Sequence, residues 1–421
     1  MLDLKLIRSD TKRIKAALAR RGAGEALDEL LELDAHRRTI LPEIEGVRAR
    51  RKSESEKIGQ LKKAGEDAES QIAQVHELKA NLEKLETELA EVEEKRDRIA
   101  ITLPNIPDPD APDGFTDEDA VEIRRVGEPP EFSFEPRNHL ELEAARDLID
   151  MEAGARTSGT RFTYLKGDLA MLELSLVQYA MNLLREEGHE PVIPPVLVRE
   201  EALVGTGLLP GDREQIYELP KDQLFLVGTA EVPLASLHAD QILDAADLPL
   251  RYGGFSTCFR REAGAAGRDT RGIFRVHQFD KVEMFSFVEP DGAADEHERI
   301  LAIEERILTE LGLPYRVVNV AVGDLGAPAA KKYDCEAWIP SQGRYRELTS
   351  CSNTTDYQAR RLSCRYRPEP KAGTEFVNTL NGTAVAVGRT LIAILENHQR
   401  EDGSVALPEV LRPFGAPESI G

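Results

Sequence analysis

Apolar residues recur at alternating steps of three and four between about residues 27 and 101, which is the spacing of a coiled-coil helix. The series is clearest in the second half, where its members are Val75, Leu78, Leu82, Leu85, Leu89, Val92 and Ile99. The first half carries a weaker series and contains Pro42, which should kink or interrupt the helix. Because Gly65 and polar neighbours separate the halves, the pattern predicts an antiparallel hairpin of two helices.

A proline-rich segment, residues 103–112, ends this helical region, because its four prolines cannot continue a helix. Residues 113–421 combine helical stripes with alternating strands, a mixture typical of one α+β domain. The predicted domain limits are therefore 1–112 for a helical arm with its exit linker and 113–421 for a second domain.

A helix followed by an extended segment is the first clear feature of the second domain. An apolar stripe from Leu169 to Leu183 predicts a helix with Asp168 as its N-cap, ending at Gly188. Residues 191–197 follow as an extended, proline-containing segment. Proline removes a donor from a strand, so we expect this segment at a sheet edge or an interface.

A long-looped β-hairpin is predicted over 251–288, where apolar residues alternate up to Phe259 and a second alternating run begins at Ile273. Six arginines lie on it, namely Arg251, Arg260, Arg261, Arg268, Arg271 and Arg275. Guanidinium groups suit phosphate oxygens, and the ring of Phe279 suits a purine base. A charged hairpin on a solvated surface is the alternative explanation. His277 is expected to orient the hairpin rather than to transfer a proton.

Residues 379–396 predict a strand, a tight turn and a helix, with Arg389 in the first helical turn. A cation is disfavoured at the positive end of a helix dipole unless an anion neutralises both, which favours a polyphosphate ligand. The alternative is a cation tolerated at an exposed helix end.

The chain has 421 residues and a net charge of −22, which argues against a protein that coats DNA. The first arm helix is nevertheless basic over 37–63, whereas 66–98 is acidic. These charges either pair across a solvated coiled coil or present a cationic face to a phosphate backbone. Phosphate-loop and dinucleotide-binding glycine motifs are absent from the sequence.

The four cysteines are too widely spaced for a CxxC pair, so neither a zinc ribbon nor a redox motif is indicated. So few thiols in a chain of this length suit a reducing compartment. No signal peptide and no apolar run long enough to cross a bilayer are visible, so we expect a cytoplasmic protein without a membrane partner.

The arginine-bearing hairpin and the later strand–helix with its own arginine resemble motifs 2 and 3 of class II aminoacyl-tRNA synthetases, and the helix before Pro195 resembles motif 1. Longer strings narrow the resemblance to bacterial-type seryl-tRNA synthetases: residues 228–231 (GTAE), 275–279 (RVHQF), 346–353 (RELTSCSN) and 357–361 (YQARR). The heptad hairpin resembles the tRNA-binding arm of that family. The resemblance implies an α+β catalytic domain with a mainly antiparallel sheet flanked by helices.

An ATP-dependent reaction in two steps is implied, in which L-serine is activated to seryl-adenylate and then passed to tRNA(Ser), with tRNA(Sec) left open as a second acceptor. The implied catalytic residues are Arg260, which bridges the α-phosphate and the serine carboxylate, and Arg275 and Arg389 at the γ-phosphate. Phe279 would stack on adenine and Glu262 would receive its amino group. Glu347 and Ser350 are the implied Mg²⁺ ligands. The further implied ATP contacts are Arg261, Val276, Leu348 and Thr349. The implied serine contacts are Thr229, Ala230, Glu231, Arg260, Glu283, Asn381 and Thr383.

The family also implies a homodimer with tRNA bound across subunits. Two other functions remain open at this point. One is a non-catalytic RNA-binding homologue that uses only the coiled coil, although the joint presence of Arg260, Glu262, Arg275, Glu347 and Arg389 argues against it. The other is a serine-activating relative that serves an acceptor other than tRNA, against which the intact arm argues.

Overall fold

Four helices build the first of two structural units, Leu2–Leu103. They are α1 (Leu4–Ser9), α2 (Thr11–Ala19), α3 (Gly24–Ala64) and α4 (Glu69–Thr102). The structure is a computed structural model that describes residues 1–263 and 271–421. The two long helices form the predicted antiparallel hairpin, and α3 ends where Gly65 adopts a left-handed conformation with φ +73°. Glycine has no Cβ to oppose that conformation, so it suits this helix end.

The expected interruption at Pro42 does not occur, because α3 continues through it. Proline removes one backbone donor, whereas the buried seam holds the helix on both sides of that point. Ile40 and Ile44 flank Pro42 and are buried in a cluster with Leu82, Leu85 and Val92 of α4. Packing against α4 therefore outweighs the local cost of the proline.

Basic residues of α3 pair with acidic residues of α4, as expected if the charges of the two arm helices compensate each other across the coiled coil. Arg37 bonds to Glu93 and Arg48 to Glu86, each at 2.7 Å. Other basic side chains of α3 remain exposed, namely Arg38, Arg50, Lys52, Lys62 and Lys63. The hairpin thus combines internal pairing with exposed positive charge on α3.

The second unit comprises Pro104–Gly421 together with Met1. Its helices are α5 (Met151–Ser158), α6 (Gly167–Glu186), α7 (Glu200–Thr206), α8 (Glu231–Ala235), α9 (Ala293–Glu310), α10 (Tyr357–Arg361) and α11 (Val387–Asn397). Asn105 attaches the proline-rich segment to this unit, since its backbone N–H donates to the carbonyl of Ala327 at 2.8 Å.

An eight-stranded sheet is the centre of this unit, in the order β1-β11-β12-β13-β16-β10-β9-β4. Its strands are β1 (Val121–Val126), β4 (Glu190–Val192), β9 (Leu250–Phe259), β10 (Gln278–Val288), β11 (Tyr315–Asn319), β12 (Lys331–Ile339), β13 (Arg344–Asn353) and β16 (Asn378–Ala386). All neighbours pair antiparallel except β4 with β9. The predicted α+β class with a mainly antiparallel sheet flanked by helices is confirmed.

Smaller sheets use the short strands β2 (Ile149–Asp150), β3 (Tyr164–Leu165), β5 (Leu197–Val198), β6 (Glu218–Leu219), β7 (Leu224–Leu226), β8 (Ile242–Asp244), β14 (Arg365–Arg367), β15 (Glu375–Phe376), β17 (Val405–Ala406) and β18 (Ser419–Ile420). Within the described residues, no helix is long and apolar enough to span a membrane.

Three local predictions need correction or confirmation. The helix α6 begins at Gly167 with Lys166 as its N-cap, so Asp168 lies in the first turn and does not cap it. The strand with Pro191 does lie at the sheet edge, as expected for a residue that lacks a donor. The returning strand of the hairpin starts at Gln278 rather than at Ile273.

Backbone donors in the segment before β10 bond to loops instead of to β9, which explains the later start. The N–H of Ile273 donates to the ring of His139, and the N–H of His277 donates to the carbonyl of Arg161. Arg268 and the glycines at 264 and 267, on which part of the hairpin prediction rested, lie outside the described residues.

Candidate active site

A cleft of about 710 Å³ opens where β10, β13, β16 and the first turn of α11 meet. Its lining comprises Arg260, Glu262, Ile273, Phe274, Arg275, Val276, Phe279, Lys281, Glu347, Leu348, Ser350, Thr383, Ala386, Gly388 and Arg389. The lining thus contains most of the side chains implied for ATP, and it brings together parts of the chain that are distant in sequence.

The three implied catalytic arginines converge on this cleft from three different segments. Arg260 follows β9, Arg275 precedes β10, and Arg389 is the third residue of α11. Arg260 is fixed by a hydrogen bond from its Nε to the carbonyl of Gly228 at 3.1 Å, and its guanidinium lies 5.2 Å from the ring centre of Phe279. A convergence of cations in one cleft suits an anionic ligand.

Each of the other two arginines is paired with a carboxylate of the cleft. Arg275 Nη1 lies 2.6 Å from Glu262 Oε2, and Arg389 Nη1 lies 3.1 Å from Glu347 Oε2. Burial alone would raise the pKa of Glu347, but the Arg389 and Lys332 cations outweigh it and lower the pKa to about 2. Glu347 is therefore ionised at neutral pH and can act as a ligand for a hard cation.

Phe274 is a cleft residue that neither the motifs nor the family resemblance pointed to. The guanidinium carbons of Arg389 and Arg346 lie 4.9 Å and 4.0 Å from its ring centre, within the range of cation–π attraction. The ring therefore helps to hold Arg389 at the start of α11. Its position directly before Arg275 in the sequence is the one feature that could have indicated a role for Phe274.

Two implied serine contacts, Glu231 and the buried Glu283, are neighbouring carboxyl groups beside the cleft. Burial, and then repulsion from Glu283, raise the pKa of Glu231 to about 7. Burial also raises the pKa of Glu283, which Lys281 and Arg260 oppose. Gln358 Nε2 donates to Glu231 Oε1 at 2.7 Å, so the residue is held in place as well as buried. Such a pair suits a small ligand that carries a positive charge.

Two implied ATP contacts point away from the cleft. The guanidinium of Arg261 lies 5.1 Å from the ring centre of Tyr217. The hydroxyl of Thr349 donates to Glu304 Oε2 at 3.0 Å and is buried. Neither residue is part of the cleft lining, so a contact of their side chains with a nucleotide in the cleft has no geometric support. Leu348 and Val276 do line it.

Five implied serine contacts, Glu231 and Glu283 among them, lie outside the lining of the cleft. Thr229 and Ala230 are buried directly before α8, which Glu231 begins, and Asn381 lies on β16 opposite Phe285. Thr383 lines the cleft and pairs with Glu283 across β16 and β10. The ring nitrogen Nδ1 of His277 lies 2.9 Å from the carbonyl oxygen of Arg260, a contact that fits the expected orienting role.

Family comparisons agree with this geometry. The profile described as "tRNA synthetase class II core domain (G, H, P, S and T)" matches residues 216–398, and that described as "Seryl-tRNA synthetase N-terminal domain" matches residues 1–107. A serine--tRNA ligase from Caldanaerobacter subterraneus subsp. tengcongensis is 48% identical over 98% of both chains.

Solved structures agree as well. Seryl-tRNA synthetase from Pyrococcus horikoshii, in complex with ATP, superposes with a TM-score of 0.95 at 42% identity, over 100% of this chain and 99% of that one. Cytoplasmic serine-tRNA ligase from Naegleria fowleri, in complex with AMP, gives a TM-score of 0.90 at 30% identity, over 100% of this chain and 98% of that one.

The fold and the matched core define a class II aminoacyl-tRNA synthetase. Within that class, the chain belongs to the seryl-tRNA synthetase family. The resemblance drawn from the sequence and the enzyme activity that it implied are confirmed, and the two other functions are not favoured.

Proposed function

We propose that the chain performs the two-step reaction in this one cleft. The carboxylate oxygen of L-serine attacks the α-phosphorus of ATP, the bond to the bridging oxygen of the β-phosphate breaks, and pyrophosphate leaves. A hydroxyl of the 3′-terminal ribose of tRNA(Ser) then attacks the seryl carbonyl carbon and loses its proton to solvent. The new ester bond forms as the C–O bond of the mixed anhydride breaks, and AMP leaves with the electron pair of that bond. Such steps need charge neutralisation and positioning more than a covalent nucleophile.

The observation that carries this proposal is the convergence of Arg260, Arg275 and Arg389 on one cleft with Phe279 beside them. We assign Arg260 to the α-phosphate and the serine carboxylate, and the other two arginines to the γ-phosphate. Phe279 would stack on adenine once the guanidinium that now covers its ring moves to the phosphate. Glu262 would exchange its bond with Arg275 for the adenine amino group.

Mg²⁺ is proposed as the metal cofactor, with Glu347 and Ser350 as its protein ligands. Both residues line the cleft, and the low pKa of Glu347 keeps its carboxylate charged. A site with few protein ligands fits a cation that is bound largely through substrate phosphates and water. When bound, the ion would neutralise charge on the phosphates of ATP.

Serine is proposed to bind with its ammonium group against the buried carboxyl pair Glu231 and Glu283, and with Thr229 and Thr383 close by. A polar pocket of this kind rejects a substrate that lacks the hydroxyl, because its buried partners would then lose a hydrogen bond. We also propose that the pocket excludes threonine by the size of its side chain.

The exposed basic residues of α3 are proposed to bind the tRNA backbone, which suits recognition of A-form RNA by shape and phosphate contacts. We also propose a homodimer, with tRNA bound across subunits. Exposed apolar residues on α6 and the segment after it support an interface there: Met171 is 48% exposed, Leu174 52% and Ile193 83%.

Amino-acid-dependent exchange of radiolabelled pyrophosphate into ATP tests the proposal directly. Exchange is expected with serine and not with alanine or threonine, and chelation of Mg²⁺ should abolish it. Absence of exchange with any amino acid would contradict the proposed reaction. Charging of tRNA(Ser), measured in parallel, separates this enzyme from a relative that transfers serine to another acceptor.

A further inference from the structure

Lys281 has no part in the proposed reaction, although its side chain lies inside the cleft. Alternate residues of a strand share one face, so Phe279, Lys281 and Glu283 form a row along the cleft side of β10. One end of that row is assigned to adenine and the other to serine. A lysine in the middle of a buried strand requires an explanation, because a buried charge is costly unless it is paired.

The ion-pair partner of Lys281 is Glu283, one of the two carboxylates assigned to serine. Its Nζ contacts Glu283 Oε2, and the two side chains are only 8% and 2% exposed. The charged and titratable groups that act on the pair include Glu231 at the start of α8, Arg260 after β9, Cys258 on β9 and the buried Glu304 of α9. Arg260 is tied to the carbonyl of Gly228, so the cation in contact with Glu283 is Lys281.

Two buried carboxyl groups that face each other without a cation would share a proton, because close like charges cannot both ionise in a low-dielectric environment. With a shared proton, Glu231 and Glu283 would carry one negative charge instead of two. The proton would also occupy a carboxylate oxygen that would otherwise accept a hydrogen bond from the serine ammonium group. The Lys281 ammonium opposes this outcome at Glu283, and it also acts on Glu231.

We propose that Lys281 is a positioning residue that keeps the Glu283 carboxylate ionised and directed toward the amino-acid side of the cleft, so that Glu231 and Glu283 together receive the ammonium group of serine. This inference rests on the proposed serine site. It differs from a direct role, in which Lys281 would contact the α-phosphate and act on ATP.

Lys281→Met, Lys281→Gln and Glu283→Gln should be compared with the parent by serine-dependent pyrophosphate exchange, with each substrate varied at saturation of the other. Both lysine variants should raise KM for serine by about 10- to 100-fold, the range for a lost hydrogen bond to a charged group, and leave KM for ATP within about threefold. Lys281→Arg should restore most of the serine affinity. Lys331→Met removes a lysine of the same sheet outside the cleft and should change neither KM.

The pH dependence distinguishes positioning from loss of structure. In Lys281→Met the carboxyl pair should hold its proton to higher pH, so KM for serine should fall steeply as the pH rises from 7 to 9, more than in the parent. The glutamine variant decides the question if the methionine variant does not fold, since it removes the charge but keeps a polar side chain.

An increase of KM for ATP as large as that for serine would overturn the inference in favour of a direct contact with the nucleotide. An unchanged KM for serine in both lysine variants would also overturn it, provided that Glu283→Gln raises that KM. If Glu283→Gln leaves it unchanged as well, the proposed serine site is itself wrong. Absence of exchange in the parent would instead refute the proposed reaction.

Discussion

Serine recognition should depend on pH because one of its proposed carboxylates titrates near neutrality. The carboxyl group of Glu231 lies near that of Glu283, and burial together with repulsion from Glu283 raises the pKa of Glu231 to about 7. Its ionised fraction therefore increases from about 10% at pH 6 to about 90% at pH 8. Only the ionised form offers a full charge to the serine ammonium, so kcat/KM for serine should rise about ninefold over this interval.

Pyrophosphate exchange at saturating ATP, measured from pH 5.5 to 8.5, gives this profile. Its midpoint should lie near 7, because kcat/KM reports the ionisation of the enzyme before serine binds. Glu283→Gln removes the second cause of the shift, so its midpoint should move to lower pH even though its serine affinity is weaker. The profile for ATP at saturating serine serves as the control and should be flatter.

A flat serine profile between pH 6 and pH 8 would refute the reasoning, since it would mean that Glu231 is ionised throughout or takes no part in binding. A midpoint that stays near 7 in Glu283→Gln would refute the assigned cause, because another group would then be responsible.

Four other predictions concern Arg389, the helical arm, the proposed dimer interface and the buried His189. Arg389→Ala should slow serine activation by about 10²- to 10³-fold, the cost of losing one preorganised charge contact, as measured by pyrophosphate exchange; near-parent exchange would remove Arg389 from the site. Deletion of residues 27–101 should abolish charging of tRNA(Ser) while exchange survives, and intact charging would contradict the role of the arm. Leu174→Glu should halve the mass found by analytical ultracentrifugation, and an unchanged mass would exclude α6 from the interface. Burial lowers the pKa of His189 to about 4, so stability should fall as the pH drops from 6.5 toward 4; His189→Leu should remove this loss, about 2 kcal/mol at pH 5, in urea unfolding followed by Trp338 fluorescence. An unchanged acid slope in that variant would assign the loss to other groups.

The arm was predictable from sequence because its stability comes from a repeat. A heptad repeat predicts which residues face the partner helix, and Leu82, Leu85 and Val92 are buried as the repeat predicts. The effect of Pro42 was not predictable in the same way. Local propensity argued for a kink, but the continuity of α3 depends on packing against α4, a contact between residues that are distant in sequence.

The arginines of the cleft were predictable for a different reason. Arg389 broke a local expectation at the positive end of a helix dipole, and such departures concentrate at functional sites. Arg260 and Arg275 stood out because six arginines lie on one predicted hairpin of an acidic chain. Lys281 and Glu283 carried a similar signal, since both charges stand in a strand that is otherwise buried on its two faces. That signal could not be read from the sequence alone. Charged residues that alternate with apolar ones, as Lys281 and Glu283 do, are also typical of a strand with one exposed face, and the sequence does not show that helices cover the sheet.

Glu262 and Glu347 form ion pairs with two of the arginines of the cleft, Arg275 and Arg389. The carboxylates neutralise guanidinium groups that lie in a partly buried space, where an uncompensated charge is costly. In the proposed complex the same carboxylates turn to the adenine amino group and to Mg²⁺, while the guanidinium groups turn to phosphate. Binding of ATP would then exchange the carboxylate partners of Arg275 and Arg389 for phosphate oxygens. This exchange explains why an enzyme that binds a polyanion can keep so many acidic residues in its cleft.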